Sequence, residues 1–126
     1  MSVLPIQLDE LKRRFPDSHL RPLGDGSSLV EVRDFPLDPS RWTKDRVTVY
    51  FIAPNGFPVA KPDCFWVDRD LRLVNGSLPK NSGEQEAPFG GGPKLWFSWH
   101  VDPWNANRDS LSSYLRVIAS RLQRSE

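Results

Sequence analysis

The sequence predicts a single α+β domain, residues 1–126, with a helix at each end and an antiparallel sheet between them. Its 126 residues are enough for one hydrophobic core, and 38% apolar with 26% charged residues is ordinary for a globular protein. Twelve prolines and eight glycines favour short elements joined by turns over a helical bundle. Segments with a two-residue hydrophobic period lie between two segments with a helical period, so one face of the sheet is expected to pack on the last helix.

A short helix is expected at the start of the chain. The segment "IQLDELKRR" places Ile6, Leu8 and Leu11 near one helical face, which is typical of a helix packed on a core. Proline disfavours helical backbone in the residue before it, so this helix should end before Pro16.

Strand-like segments follow the helix. In "LVEVRDF" the apolar Val30 and Val32 alternate with Glu31 and Arg33, which is the period of a half-buried strand. "RVTVYFIAP" repeats this pattern up to Pro54, and "DCFWVD" is a third candidate. The connections are too short for crossover helices, so an antiparallel meander of three or four strands is expected.

A long irregular segment separates these strands from the last helix. Residues 68–94 contain turn residues and three consecutive glycines with almost no periodicity, so a long loop is expected there. The last helix has apolar residues at i, i+4, i+7 and i+11, namely Leu111, Leu115, Ile118 and Leu122. Asn107 or Asp109 is expected to cap its start, and Arg121 and Arg124 suit its C-terminal end.

Composition and charge argue against several classes of protein. A net charge of +1 gives no broad attraction to nucleic acid or to an anionic membrane. No apolar run approaches the roughly 20 residues that span a bilayer, and the N-terminus lacks the pattern of a signal peptide, so a cytoplasmic location is expected. The only cysteine, Cys64, cannot form an internal disulfide, and with two histidines in the chain no protein-only metal site is expected.

The aromatic segment "LWFSWHVDPW", residues 95–104, carries the candidate chemistry. Residues two apart on an extended chain share a face, so Ser98, His100 and Asp102 could form a constellation in which the histidine activates the hydroxyl. A direct serine–imidazole hydrogen bond would require the backbone to bend, because same-face neighbours on a strand are widely spaced. The alternative, which residue types alone favour, is a histidine bonded to backbone at a loop end and a serine in a turn.

Cys64 is expected to be a small structural side chain rather than a nucleophile. Within "PDCFWVD" it would share one strand face with Trp66, and no histidine is near it in the sequence. The glycines at 90–92 lack the spacing of a phosphate-binding loop. The tryptophans are expected to pack in the core, because lysine and arginine are not striped beside them as on a base-stacking surface.

Four motifs occur in a characteristic order along the chain: "GFP", "PD-x-FWVD", "WFSWH" and "W-x-x-x-x-D-x-L-x-x-YL". In this order, over roughly residues 5–123, they resemble the ubiquitin-conjugating enzymes and more narrowly the prokaryotic ubiquitin-conjugating-like family E. The resemblance implies that family's fold, with a long active-site loop and with Trp104 as the tryptophan that follows the active site. The chain departs from the eukaryotic-type enzymes in two places, since residues 94–103 contain no cysteine and the His-Pro-Asn motif is missing after Val67.

The resemblance implies a carrier that accepts the C-terminus of a ubiquitin-like protein from an adenylating enzyme and passes it on without a cofactor of its own. Because the usual cysteine is missing, Ser98 is the first choice of nucleophile, with an oxyester intermediate. His100 would be its base, and Asp102 would orient the ring. Ser82, which follows Asn81, is the second choice. The expected partners are the ubiquitin-like protein, the adenylating enzyme and a metallopeptidase that reverses conjugation.

Two other functions stay open from the sequence. A noncatalytic adaptor that binds the ubiquitin-like protein or the activating enzyme would account for the missing cysteine. A stand-alone hydrolase that uses Ser98 is disfavoured, because the chain lacks the G-x-S-x-G elbow and the length of that fold. Trp104 is expected to anchor the core, and if its ring is buried an alanine there would cost on the order of 3–5 kcal/mol.

Overall fold

Two helices and one six-stranded antiparallel sheet make up residues 3–126, which are the residues described by the structure, a computed structural model. The helices are α1 (Leu4–Lys12) and α2 (Leu111–Leu122). The strands are β1 (Ser18–Pro22), β2 (Ser28–Pro36), β3 (Arg46–Ala53), β4 (Phe65–Val67), β5 (Ser82–Glu86) and β6 (Pro93–Phe97). They lie in the sheet in the order β1-β2-β3-β4-β6-β5, which confirms the α+β class. Neither helix of this described part is long and apolar enough to cross a bilayer.

The sheet has six strands, so the prediction of three or four was wrong. The strand β1 pairs with β2 along a segment, "SHLRP", whose alternation is too weak to predict a strand. The strand β5 and the start of β6 lie inside residues 68–94, which the sequence predicted to be a loop. All residues of β5 are exposed or half-buried, so this edge strand is held by pairing with β6 and carries no hydrophobic period.

The main hydrophobic core lies between one face of the sheet and α2. The predicted apolar stripe of α2 is confirmed, since all four of its residues are buried: Leu111, Leu115, Ile118 and Leu122. They pack with the inward-facing side chains of β2, β3, β4 and β6. The segment after β6 therefore lies against α2, which brings the aromatic residues 97–104 to one end of this core.

The helix α1 covers a smaller part of the core than its pattern predicts. Leu11 is buried, Leu8 is half-buried, and Ile6 is 67% exposed, so the prediction that Ile6 faces the core was wrong. The contact with α2 is partly polar, because the N–H of Leu111 donates to Gln7 Oε1 over 2.8 Å. This bond satisfies one of the N–H groups that the first turn of α2 leaves unpaired.

The start of α2 is capped by Ser110 and not by the expected Asn107 or Asp109. Ser110 Oγ accepts a hydrogen bond from the N–H of Ser113, and Ser113 Oγ accepts one from the N–H of Ser110. This is a capping box with serine in the position usually taken by glutamate. The carboxylate of Asp109 instead accepts a bond from the N–H of Asn105, in the turn that precedes the helix.

Candidate functional site

Cys64 lies directly before β4 in a backbone conformation that is unusual for cysteine. Its φ is 61°, in the left-handed region that residues with a side chain seldom adopt. The prediction that Cys64 alternates with Trp66 on one strand was therefore wrong, because the strand begins at Phe65. Such a conformation costs on the order of 1–3 kcal/mol and persists where neighbouring contacts determine it.

Both backbone groups of Cys64 are held by the segment after β6 and by α2. Its N–H donates to the carbonyl of Trp99 over 2.9 Å, and its carbonyl accepts a bond from the Tyr114 hydroxyl over 2.7 Å. Tyr114 is buried on α2, and this burial raises its pKa, with a further rise from the nearby charges of Cys64 and Asp63. The phenol therefore remains a donor throughout the neutral range and keeps its bond to the cysteine carbonyl.

His100 and Asp63 lie beside this cysteine. Cys64 Sγ, a ring nitrogen of His100 and a carboxylate oxygen of Asp63 all lie within 4.8 Å of one another. His100 Nδ1 is 2.5 Å from Asp63 Oδ1. The side chains of His100 and Asp63 are 64% and 59% exposed, so the cluster opens to solvent on their side, and Cys64 is its most buried member. We refer to Asp63, Cys64 and His100 as the thiol cluster.

The protonation chemistry of the thiol cluster follows from its hydrogen bond. An ionised carboxylate only accepts hydrogen bonds, so the Nδ1 atom of a neutral His100 carries the hydrogen and donates it to Asp63. The other ring nitrogen, Nε2, is then the basic atom. A thiol, an imidazole and an orienting carboxylate have the composition of a Cys–His–Asp nucleophilic site.

Ser98, His100 and Asp102 are close in the sequence, but the structure does not show the hydrogen bonds predicted between their side chains. The carboxylate that orients His100 belongs to Asp63, and Asp102 is exposed. Ser98 is half-buried directly after β6, and its N–H donates to the carbonyl of Asn81 over 2.7 Å. Within residues 3–126, no hydrogen bond joins Ser98 Oγ to the His100 ring. The catalytic roles of Ser98 and Asp102 stay predictions.

The second-choice residues, Asn81 and Ser82, lie next to Ser98 at the start of β5. The register of the β5–β6 pair sets Ser82 opposite Phe97, which leaves Asn81 beside Ser98. Ser82 Oγ donates to the carbonyl of Pro79 over 2.5 Å, so its proton is already used within the turn. A role for Ser82 as nucleophile stays a prediction.

Trp99, whose carbonyl accepts the hydrogen bond from Cys64, packs its ring against two arginines of the C-terminal segment. The guanidinium carbons of Arg121 and Arg124 lie 5.4 and 5.3 Å from the Trp99 ring centre. Arg121 was expected only to complement the helix end, but it is 1% exposed and donates through Nη2 to the carbonyls of Lys80 and Glu126. Burial is the main cause that lowers the pKa of the Arg121 guanidinium. This packing fixes Trp99, whose carbonyl in turn holds Cys64.

Trp104 connects the loop before the thiol cluster to α2. It is half-buried, and its Nε1 donates to the carbonyl of Pro58 over 2.8 Å. Its ring centre lies 6.0 Å from that of Phe57 and 6.5 Å from that of Tyr114. The ring is therefore not enclosed, which lowers the cost expected for its removal.

Replacement of Trp104 by alanine should lower the free energy of unfolding by about 2 kcal/mol, less than for a fully enclosed indole. Trp104→Phe should cost about 1 kcal/mol, because the ring contacts remain while the bond to Pro58 is lost. Urea unfolding of both variants measures the difference. A loss below about 0.5 kcal/mol in Trp104→Ala would show that the ring does not stabilise the contact between α2 and the loop before the thiol cluster.

Two members of the thiol cluster were missed from the sequence. Asp63 lies 37 positions before His100, and nothing in the local pattern of either segment indicates that they meet. The usable signal was that the chain's single cysteine has an acidic neighbour and follows a proline two positions before it, in "KPDC". That context is compatible with an exposed thiol before a strand as well as with one inside it.

Comparison with known families is consistent with this architecture. The family model described as prokaryotic E2 family E matches residues 20–125. No curated protein and no solved structure matches the chain significantly. The matched segment begins in β1 and runs through the other strands and α2, so it contains the whole thiol cluster.

Proposed function

The chain belongs to prokaryotic E2 family E, and from this premise we propose that it carries the C-terminal acyl group of a ubiquitin-like protein on Cys64. Membership gives it a ubiquitin-conjugating-like role in a prokaryotic pathway. The proposed role requires two partners, the ubiquitin-like protein and an adenylating enzyme that activates it. The metallopeptidase suggested by the resemblance stays a prediction.

The observation that carries this proposal is the thiol cluster. A thiolate is the reactive form of cysteine, and an adjacent imidazole can take the thiol proton. A His100 ring nitrogen lies within 4.8 Å of Cys64 Sγ, and Asp63 orients that ring. Catalytic hydrogen bonds are often long in the free protein and shorten when substrate binds, and the exposed His100 ring has room to make that approach.

Each chemical step balances with these groups. In loading, the Cys64 thiol gives its proton to His100, Sγ bonds to the carbonyl carbon of the activated C-terminus, and the bond from that carbon to its leaving group breaks. The leaving group then takes the proton from His100. In transfer, an acceptor amine bonds to the same carbon, the S–C bond breaks, and the departing thiolate receives the proton that the amine loses. The group carried between these steps is a thioester, which reacts with amines more readily than an ester of serine.

Ser98 is the alternative nucleophile, and it would carry an oxyester as the sequence predicted. It is half-buried directly after β6, and within residues 3–126 its Oγ has no hydrogen-bond partner. A serine hydroxyl needs a base in contact before it reacts, whereas a cysteine is intrinsically the more nucleophilic side chain and depends less on such a base. We therefore favour Cys64.

The test is reconstitution with the adenylating enzyme, the ubiquitin-like protein and Mg-ATP, followed by electrophoresis. We expect an adduct that dithiothreitol removes and that Cys64→Ala lacks. Cys64→Ser should convert it to an ester that resists dithiothreitol and is cleaved by hydroxide. Ser98→Ala should retain the thiol-sensitive adduct, as should His19→Ala, which removes the chain's other histidine.

Two outcomes would contradict the assignment to Cys64. An adduct that resists dithiothreitol and disappears in Ser98→Ala would move the acyl group to Ser98. The absence of any adduct, with retained binding of the ubiquitin-like protein or the activating enzyme, would favour the adaptor function.

A further inference from the structure

We propose that the thiol cluster also binds one divalent cation of the zinc class, and that the bound ion reversibly blocks Cys64. The blocking of acyl transfer rests on the proposed function, whereas the metal binding rests on the geometry alone. The sequence had led to the expectation of no metal site, because one cysteine and two histidines cannot form a closed four-ligand centre. An open site, in which a water is the fourth ligand, needs only three protein ligands.

The donor atoms of the thiol cluster lie within reach of a single tetrahedral ion. Zinc bonds of about 2.0–2.3 Å place its ligand atoms roughly 3.3–3.8 Å apart. The three donor atoms already lie within 4.8 Å of one another, and His100 Nδ1 and Asp63 Oδ1 are 2.5 Å apart. Binding therefore needs the carboxylate and the ring to separate by about 1 Å and the thiolate to approach. Both exposed side chains can make that adjustment by rotation.

The types of donor select the ion. A thiolate and an imidazole favour zinc and similar borderline or soft cations, whereas magnesium and calcium need six or more oxygen ligands. The thiolate and the carboxylate together neutralise the two charges of the ion. On binding, the S–H bond of Cys64 is replaced by a sulfur–metal bond, and the proton is released to solvent.

The backbone holds the sulfur at the site before any ion binds. The bond that Cys64 donates to the Trp99 carbonyl and the bond that it accepts from Tyr114 fix both peptide groups around it, so metal binding does not have to order this residue. Asp63 is its neighbour in the chain, and His100 directly follows Trp99. The three ligands thus come from two segments that are joined by one backbone hydrogen bond. A sulfur bound to the ion donates one lone pair to it and loses negative charge, so it attacks a carbonyl more slowly than the free thiolate.

The experiment uses the full chain and zinc chloride alone, with no partner protein. Calorimetry should give one ion per chain, and iodoacetamide alkylation of Cys64, followed by mass spectrometry, reports the free thiol. At free zinc tenfold above its Kd, the alkylation rate should fall about tenfold, and EDTA should restore it. Magnesium chloride at the same concentration should leave alkylation unchanged.

Variants locate the ion. His100→Ala and Asp63→Ala should each weaken zinc binding by about tenfold or more. His19→Ala is the matched control, because His19 also pairs with a carboxylate, Asp17, over 2.6 Å but belongs to no three-ligand group within residues 3–126. It should leave the zinc affinity unchanged. All of these side chains are exposed, so the variants are expected to fold, and circular dichroism checks this.

The proposal is overturned if zinc fails to slow the alkylation of Cys64, or if His19→Ala weakens binding while His100→Ala does not. Failure here is distinguishable from failure of the proposed function. Zinc protection without any adduct to the ubiquitin-like protein keeps the metal site and removes the carrier role. A thiol-sensitive adduct, with alkylation of Cys64 unaffected by zinc, keeps the carrier role and removes the metal site.

Discussion

Alanine at His100 is expected to slow acyl transfer to Cys64 by about 10²–10⁴-fold, the usual contribution of a positioned general base. The His100 ring is the group of the thiol cluster that can accept the thiol proton, because a carboxylate is ordinarily a much weaker base than an imidazole. The side chain of His100 is 64% exposed, so its removal opens no cavity and the fold should be retained. The measurement is the single-turnover rate of adduct formation with a saturating amount of the charged activating enzyme.

Three comparisons separate a chemical role of His100 from a structural one. Added imidazole should restore part of the lost rate in His100→Ala, because the site is open to solvent. Asp63→Ala should give a smaller loss, since the ring keeps a basic nitrogen but loses the carboxylate that orients it. His19→Ala should react at the wild-type rate. A rate within twofold of wild type in His100→Ala would exclude this residue as the base.

The parts of the fold with strong periodicity were predictable from the sequence. Every apolar position proposed for α2 is buried, because a helix that covers a sheet must repeat its apolar residues every three or four positions. The strand β5, "SGEQE", has no such pattern, since it lies at the edge of the sheet and buries none of its side chains. Elements held by main-chain pairing alone leave no hydrophobic signal in the sequence.

The thiol cluster was only partly predictable for a related reason. His100 stood out because it lies among aromatic residues, but its partners depend on the register of β4 against β6. That register pairs Phe65 with Phe97, so the residues that precede β4 lie beside those that follow β6. Cys64 then reaches the Trp99 carbonyl only because its φ is positive. Neither the register of two strands far apart in the sequence nor a positive φ at a cysteine can be inferred from residue order alone.

Trp42 is the residue whose loss should destabilise the fold most. Alanine there is expected to lower the free energy of unfolding by about 3–5 kcal/mol. Trp42 is 1% exposed, and its Nε1 donates to the carbonyl of Leu122 over 2.7 Å, so the indole joins the β2–β3 connection to the last turn of α2. The substitution would leave a cavity in the main core and an unpaired carbonyl at the helix end. Urea unfolding measures the change.

Comparison with Trp104 tests whether enclosure, and not residue type, sets this cost. Both indoles donate one hydrogen bond of similar length to a backbone carbonyl, but Trp104 is only half-buried. If burial dominates, Trp42→Ala should therefore cost more than Trp104→Ala, and Trp42→Phe should recover most of the difference by filling the cavity. Equal losses at the two positions would mean that the indole hydrogen bonds dominate. A loss below about 1 kcal/mol in Trp42→Ala would show that the β2–β3 connection does not depend on this ring for its contact with α2.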